Sequence, residues 1–266
     1  MNKLYVSADI EGVCGIADWT ETEIGEAQGA YFRKEMTKEV VSACEAAVKH
    51  GVSDILVKDA HGSGRSIDPS ALPREARILR SWTKDPLVMM AGLDASFGGV
   101  FFIGYHSAAG TDGNPLAHTM NGDNVAVMIN GVLASEFMIN SYIAGHIGVP
   151  VMMLTGDAAL CATAASINPN IRTVAVSEGH GNASISIHPA LAQERIAAAA
   201  RDALSADPKS MLVQMPGSFK VSIYFKKHFL ANRGSYYPGA TRLSAHEVGF
   251  KSKNWADVLA FLFFVL

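Results

Sequence analysis

Three apolar segments with the composition of buried strands each end in residues that can bind a metal ion. The segment at 3–7 is followed by Asp9 and Glu11, the segment at 53–58 by His61, and the segment at 98–105 by His106. The carboxyl ends of parallel strands meet at one edge of a sheet, so we expect these side chains to lie close together. Neighbouring carboxylates repel each other unless a cation neutralises them, and zinc accepts carboxylates together with neutral imidazoles.

A fifth candidate ligand is Glu136, in a segment whose spacing predicts a helix over residues 132–145. Glu136 shares the more apolar face of this helix with Leu133 and Phe137, and a glutamate is almost never buried without a partner. Five ligands suffice for two metal ions that share one carboxylate. Asp9 is the expected bridge because its strand is expected to be central. Two ions about 3.5–4 Å apart polarise a carbonyl and activate a water, which is hydrolytic chemistry.

His118 follows the polar, glycine-containing loop at 110–115 and is a candidate general acid or base, since an imidazole titrates near pH ~6.5. Each of these residues by itself has a simpler interpretation. A histidine at a strand end is usually a hydrogen-bonded surface residue, and a glutamate on a helix usually pairs with a lysine or caps a backbone group. The coincidence of three such strand ends favours a metal site.

The segments that would position these residues alternate between strand and helix along the chain. Their continuous apolar runs predict an α/β fold with a largely parallel sheet and helices on both faces, plus a smaller C-terminal α+β portion. The predicted strands lie at 3–7, 53–58, 98–105, 124–129, 149–154, 172–176 and 219–225, and the predicted helices at 31–50, 132–145, from 157, at 189–204 and at the end of the sequence. A weak boundary separates a metal-binding core, 1–205, from residues 206–266, which complete the fold or form an oligomer interface.

Composition narrows the function classes. The 266 residues are 49% hydrophobic and carry a net charge of −3 with no block of lysines and arginines, which argues against nucleic acid or an anionic membrane as a partner. The apolar run at 257–266 is shorter than the ~20 residues that span a bilayer. Three widely spaced cysteines and an N-terminal segment without a long apolar run favour a cytoplasmic protein.

The motifs that carry these residues also resemble a known family. Ser-x-Asp-x-Glu-Gly at 7–12, Asp-x-His at 59–61, Gly-Tyr-His at 104–106, His118-Thr-Met and Glu136 occur in the order and spacing of the D-aminopeptidase family, peptidase family M55. The resemblance continues through 144–157 and thins after about residue 190, but it extends over the whole chain.

The resemblance implies a dinuclear zinc aminopeptidase that removes a D-residue, such as D-alanine, from the N-terminus of short peptides. Its zinc ligands would be Asp9, Glu11, His61, His106 and Glu136, with manganese or cobalt as other candidate metals. His118 would be the catalytic side chain, which the family description gives a nucleophile-like role. On chemical grounds we expect a metal-activated water to attack, with His118 handling protons or steadying the oxyanion. The family also implies a ring-like homodecamer.

One segment departs from the family pattern. Ser177 and Asn182 stand where family members often have basic residues, which suggests a changed substrate preference, and His180 is a candidate compensating contact.

Other functions remain open at this stage. A two-metal phosphoesterase would use similar ligands and would need cations near the metals, for which the strand-end loops offer chiefly Lys58 and Arg65. A non-catalytic, metal-dependent peptide-binding protein would not require His118. A nucleotide-binding module is disfavoured because no G-x-G-x-x-G or P-loop motif follows the first strand.

Overall fold

Two β-sheets and six α-helices make up the computed structural model, which describes all 266 residues. The strands are β1 (Lys3–Ala8), β2 (Asp54–Asp59), β3 (Ala76–Leu79), β4 (Gly99–Tyr105), β5 (Asn124–Ile129), β6 (Val132–Leu133), β7 (Val151–Asp157), β8 (Arg172–His180), β9 (Ala183–Ser186), β10 (Phe219–Phe225), β11 (Thr241–Arg242) and β12 (Glu247–Ser252). The helices are α1 (Ala27–Lys49), α2 (Glu136–Ile147), α3 (Ala158–Ile167), α4 (Pro189–Ser205), α5 (His228–Gly234) and α6 (Trp255–Val265).

The larger sheet has the strand order β3-β2-β1-β4-β7-β8-β9, and all of its pairs are parallel except the β8–β9 hairpin. Two of its inner strands, β4 and β7, are buried at every position. Such continuous burial is expected where both faces of a parallel sheet are covered. The predicted α/β fold is therefore confirmed.

Side chains that alternate along β1 enter two separate cores. Leu4, Val6 and Ala8 pack in a cluster that includes apolar residues of α1 and α4, whereas Tyr5 packs in the cluster on the opposite face. This second cluster contains residues of α2, α6 and the smaller sheet. The larger sheet is thus a middle layer between a pair of helices and a mixed layer of helices and strands.

The smaller sheet is antiparallel, with the order β11-β12-β10-β5-β6. Three of its strands lie after residue 206, but β5 and β6 come from the middle of the chain. The C-terminal portion is therefore α+β, as predicted, and it shares a sheet with residues 124–133. The boundary at residue 205 stays a prediction.

The helix predicted over residues 132–145 is wrong at its start, because α2 begins at Glu136. Val132 and Leu133 instead form β6, which pairs with β5 across a tight turn at Asn130 and Gly131, both with positive φ. Asn-Gly favours this hairpin turn. The Ser135 hydroxyl then accepts a hydrogen bond from Met138 N and caps α2.

Besides β6, five short elements were not predicted, namely β3, β9, β11, β12 and α5. Strands of two to six residues and a helix of seven residues carry too little periodicity to be separated from loops.

Gly104 is the residue of β4 that lets the site strands approach closely. Its φ is +69°, and a Cβ at this position would collide with the carbonyl oxygen of Asp9. The segment that carries Asp9 therefore lies directly against the end of β4 at Gly104, two residues before His106. No helix is both long enough and apolar enough to cross a lipid bilayer.

Candidate metal centre

The ends of three adjacent parallel strands bring the predicted ligands together. β1 lies between β2 and β4, so the loop with Asp9 and Glu11 lies between His61, just after β2, and His106, just after β4. Glu136 enters from the first turn of α2. All five residues are buried, and none is more than 8% exposed. Buried charge at this density requires compensation.

Two groups of three potential ligands share Asp9. Asp9, Glu11 and His61 form one group and Asp9, His106 and Glu136 form the other, with the ligand atoms of each group within 4.8 Å of one another. In the first group His61 Nδ1 lies 3.4 Å from Asp9 Oδ1 and 3.1 Å from Glu11 Oε1. The two oxygens of Asp9 thus face different histidines, as a bridging carboxylate requires.

The second group has a geometry that calls for a cation. The Ser107 carbonyl lies 3.0 Å from His106 Nδ1, and because a carbonyl can only accept, this nitrogen carries the hydrogen. In its neutral form, the form that binds a metal ion, the ring directs the lone pair of Nε2 toward Asp9 Oδ2 and Glu136 Oε2, each 3.5 Å away. His106 Nε2 is buried and has no hydrogen-bond partner. A metal ion between these three acceptors would satisfy all of them, so the residues fit zinc.

The electrostatics of the cluster agree with this interpretation. Burial raises the pKa of Asp9 well above its usual range, and the nearby Glu11 carboxylate raises it further. Burial alone would lower the pKa of both ligand histidines. The surrounding carboxylates outweigh it and raise the pKa of His61 to about 11 and that of His106 to about 10. A field that holds protons on two imidazoles also attracts a divalent cation to the same place.

His118 lies beside the ligand cluster and faces the cavity. Its ring stacks on His106 with the centroids 4.3 Å apart, and Trp19 packs against it at 5.1 Å. Its Nδ1 is 2.9 Å from the Leu116 carbonyl, which leaves Nε2 as the acceptor, 3.5 Å from Glu136 Oε1 and 3.9 Å from Glu11 Oε1. His118 also groups with Glu11 and His106 within ligand distance, so its position suits either a proton carrier or a ligand.

Polar residues behind the ligands hold the loops in place, and sequence reasoning missed them. Asp157, at the end of β7, accepts hydrogen bonds from Ser107 N at 2.7 Å and from the Ser107 hydroxyl at 2.5 Å. It thereby fixes the residue whose carbonyl orients His106. Asn114 donates to the Glu11 carbonyl at 3.0 Å. Asp157 could have been found by the same strand-end criterion that selected Asp9.

A cavity of about 450 Å³ opens over the ligands. Its walls include residues that no sequence motif indicated, because they come from three distant segments of the chain: Trp19, Glu23, Trp82, Lys84, Asp85 and Phe263. Neither Ser177 nor Asn182 lines this cavity, and His180 does not line it either. The sequence suggested that Ser177 and Asn182 change the substrate preference. Within a single chain, the positions of these residues do not support that suggestion.

Comparisons with known proteins agree on one family. Residues 2–264 match the family model described as D-aminopeptidase, peptidase family M55. A D-aminopeptidase of Bacillus subtilis (strain 168) is 30% identical over 257 residues, which cover 96% of this chain and 93% of that protein. A solved structure described as the zinc-dependent D-aminopeptidase DppA from Bacillus subtilis, a self-compartmentalizing protease, superposes with a TM-score of 0.92. It is 28% identical, over 99% of this chain and 96% of the other.

Proposed function

The chain belongs to the D-aminopeptidase family, and on this basis we propose that it is a zinc-dependent aminopeptidase that removes an N-terminal D-amino acid from short peptides. The observation that carries the proposal is the pair of ligand groups that share Asp9. Asp9, Glu11 and His61 would hold one zinc ion, and Asp9, His106 and Glu136 the other. Bound zinc would polarise the scissile carbonyl and lower the pKa of a water.

The remaining chemistry falls to the residues around the ions. His118 Nε2 accepts a proton from the attacking water and returns it to the leaving amine, since its Nδ1 hydrogen is already donated to the Leu116 carbonyl. Its ring is held in that orientation by His106 and Trp19. Trp19, Trp82 and Phe263 give the cavity apolar walls, which exclude water and strengthen the electrostatic interactions inside it.

A two-metal phosphoesterase is disfavoured by the positions of the two cations that it would need. Lys58 is fully buried and donates its hydrogens to the carbonyls of Asp59 and Ser81, so it is not available to a phosphate. Arg65 lines a different surface cleft. The ligand cavity contains one lysine and no arginine. A site that binds phosphate monoesters usually has more cationic side chains than this.

The test combines metal content with substrate class. We expect elemental analysis to find two zinc ions per chain in the wild-type protein and fewer than one in Asp9→Asn, because the amide cannot bridge two cations. The wild-type protein should cleave D-alanyl-D-alanine faster than L-alanyl-L-alanine and should not hydrolyse p-nitrophenyl phosphate.

Glu194→Gln is the matched control, since this exposed glutamate lies on α4, outside the cavity. It should keep both zinc ions and full activity. Two zinc ions retained in Asp9→Asn would contradict the shared ligand, and cleavage of the phosphate ester without cleavage of peptides would contradict the peptidase assignment.

The oligomeric state and the location are further parts of the proposal. The superposed relative is described as self-compartmentalizing, which supports a homodecamer of this chain with the active sites facing an enclosed space. All three cysteines are free, which supports a reducing cytoplasm as the place of action.

A further inference from the structure

One cation faces the cavity above the metal ligands. Lys84 is the single lysine or arginine among the residues that line it, whereas Glu23 and Asp85 add negative charge beyond that of the ligands. Lys84 is exposed and takes part in none of the ion pairs formed by lysine and arginine side chains. Its ammonium group is therefore free to meet a ligand.

The segment that carries Lys84 has an unusual backbone. Of the five non-glycine residues with positive φ, Ser81, Lys84 and Val88 lie within eight positions, at 65°, 64° and 44°. A fourth, Met120 at 67°, lines the same cavity as Lys84 and Val88, and its backbone N–H donates to Glu136 Oε1 at 2.6 Å. A positive φ is rare for any L-residue and strained for a β-branched one, and such strain concentrates where a ligand is held.

Hydrogen bonds and one cation–π contact tie this segment to the loop that carries His61. Lys58 donates to the Ser81 carbonyl at 2.9 Å, and its ammonium lies 4.2 Å from the ring centre of Trp82. Ser81 N donates to the Gly64 carbonyl at 2.7 Å, and Trp82 Nε1 donates to the Gly62 carbonyl at 2.8 Å. Gly62 follows His61 directly, and Trp82 is two residues before Lys84. The hydrogen bond from Trp82 to Gly62 therefore links the segment of Lys84 to the candidate ligand His61.

We propose that Lys84 determines substrate length by binding the C-terminal carboxylate of a short peptide whose N-terminal bond lies at the metal centre. The inference rests on the proposed peptidase function. Once the first peptide bond is at the metals, the carboxylate is the remaining charged group of a di- or tripeptide. Within the cavity of about 450 Å³, Glu23 and Asp85 repel that group, and Lys84 is the one cationic side chain that attracts it.

The experiment compares a dipeptide with its C-terminal amide. We expect the wild-type holoenzyme to prefer D-alanyl-D-alanine over D-alanyl-D-alaninamide. In Lys84→Met the ratio of the two kcat/KM values should fall at least tenfold, mainly through KM for the acid. Lys84→Arg should recover part of the ratio, and Lys84→Glu should invert the preference. Quenching of tryptophan fluorescence by the acid, through Trp19 and Trp82, gives a binding measurement that does not depend on turnover.

Lys253→Met is the control, because this lysine is also exposed and does not line the cavity. It should leave the ratio unchanged. If wild-type protein cleaves the acid and Lys84→Met retains the wild-type ratio, the role of Lys84 is refuted and the peptidase assignment stands. Equal losses on both substrates would also refute it, since they would indicate a structural effect. If the wild-type protein cleaves neither substrate, both proposals fail.

Discussion

His106 and His118 are stacked imidazoles with similar hydrogen bonds and different surroundings. Each donates from Nδ1 to a backbone carbonyl, which leaves Nε2 as an acceptor. His106 is fully buried, and its Nε2 has no partner. The His118 side chain is 14% exposed and lines the cavity. We therefore infer that His106 binds metal, whereas His118 exchanges protons with the substrate.

Replacement of His118 separates these two roles. We expect His118→Ala to keep both zinc ions, because neither group that shares Asp9 includes this residue. Its kcat should fall by about 10²–10⁴-fold, which is the usual effect of losing a general acid–base residue. Elemental analysis and steady-state kinetics on the same preparation measure both quantities. Loss of one zinc ion would instead identify His118 as a ligand.

At the scale of elements, α1 supports the ligand loop through one buried carboxyl. Glu39 is 1% exposed and accepts a hydrogen bond at 3.0 Å from the backbone N–H of Cys14, three residues after Glu11. Its second oxygen, Oε2, is buried without a partner. Burial, with a smaller contribution from Glu35, raises the pKa of Glu39 to about 8. The group is therefore protonated at neutral pH.

This shift predicts a pH-dependent stability. Between its usual pKa of 4.5 and the folded-state value of about 8, Glu39 holds a proton in the folded chain and not in the unfolded chain. Unfolding then releases a proton, so raising the pH across this range lowers the free energy of unfolding. Glu39→Gln has no titrating group at position 39. Its free energy of unfolding should therefore fall less than that of the wild-type protein between pH 5.5 and pH 8.5.

Urea denaturation at several pH values measures this difference. Glu45→Gln is the control on the same helix, because Glu45 is half exposed and should behave like wild type. Parallel pH profiles for wild type and Glu39→Gln would show that Glu39 is ionised in the folded protein.

At the scale of the whole molecule, large apolar side chains remain exposed where α5 and α6 meet. Tyr236 is 82% exposed and Phe264 is 68% exposed, and the ring of Tyr237 stacks near Phe264 at 6.3 Å. Val265 packs against Gly234 at the end of α5, which places these residues in one neighbourhood. An exposed apolar patch of this kind is typical of a subunit interface, which agrees with the proposed assembly.

Polar replacements in this patch should weaken the assembly. We expect the double variant Tyr236→Ser and Phe264→Ser to shift the mass measured by light scattering from that of the proposed decamer of 28.3 kDa chains toward smaller species. Tyr31→Ser is the control, because Tyr31 is 53% exposed on α1, in a different element. An unchanged mass for the double variant would exclude this patch as an essential contact.

The sequence alone predicted the candidate ligands and the layer that holds them. Asp9, Glu11, His61 and His106 could be selected because each follows an apolar run long enough to be a buried strand, and parallel strands bring their ends to one edge. Glu136 could be selected because a carboxylate on an apolar helix face needs a partner. These are local signals, readable from residue type and spacing within one element.

Tertiary structure decided which groups meet across elements. The start of α2 at Glu136 depends on pairing of β6 with β5, a contact that the helical spacing of residues 132–145 could not reveal. Lys84 and Trp82 reach the cavity because hydrogen bonds to Lys58 and Gly64 hold their segment in place. Ser81 and Lys84 in this segment have positive φ, and the spacing of apolar residues does not predict such a backbone. The shared position of Asp9 follows from the strand order β2-β1-β4, which long-range packing sets and adjacent residues do not.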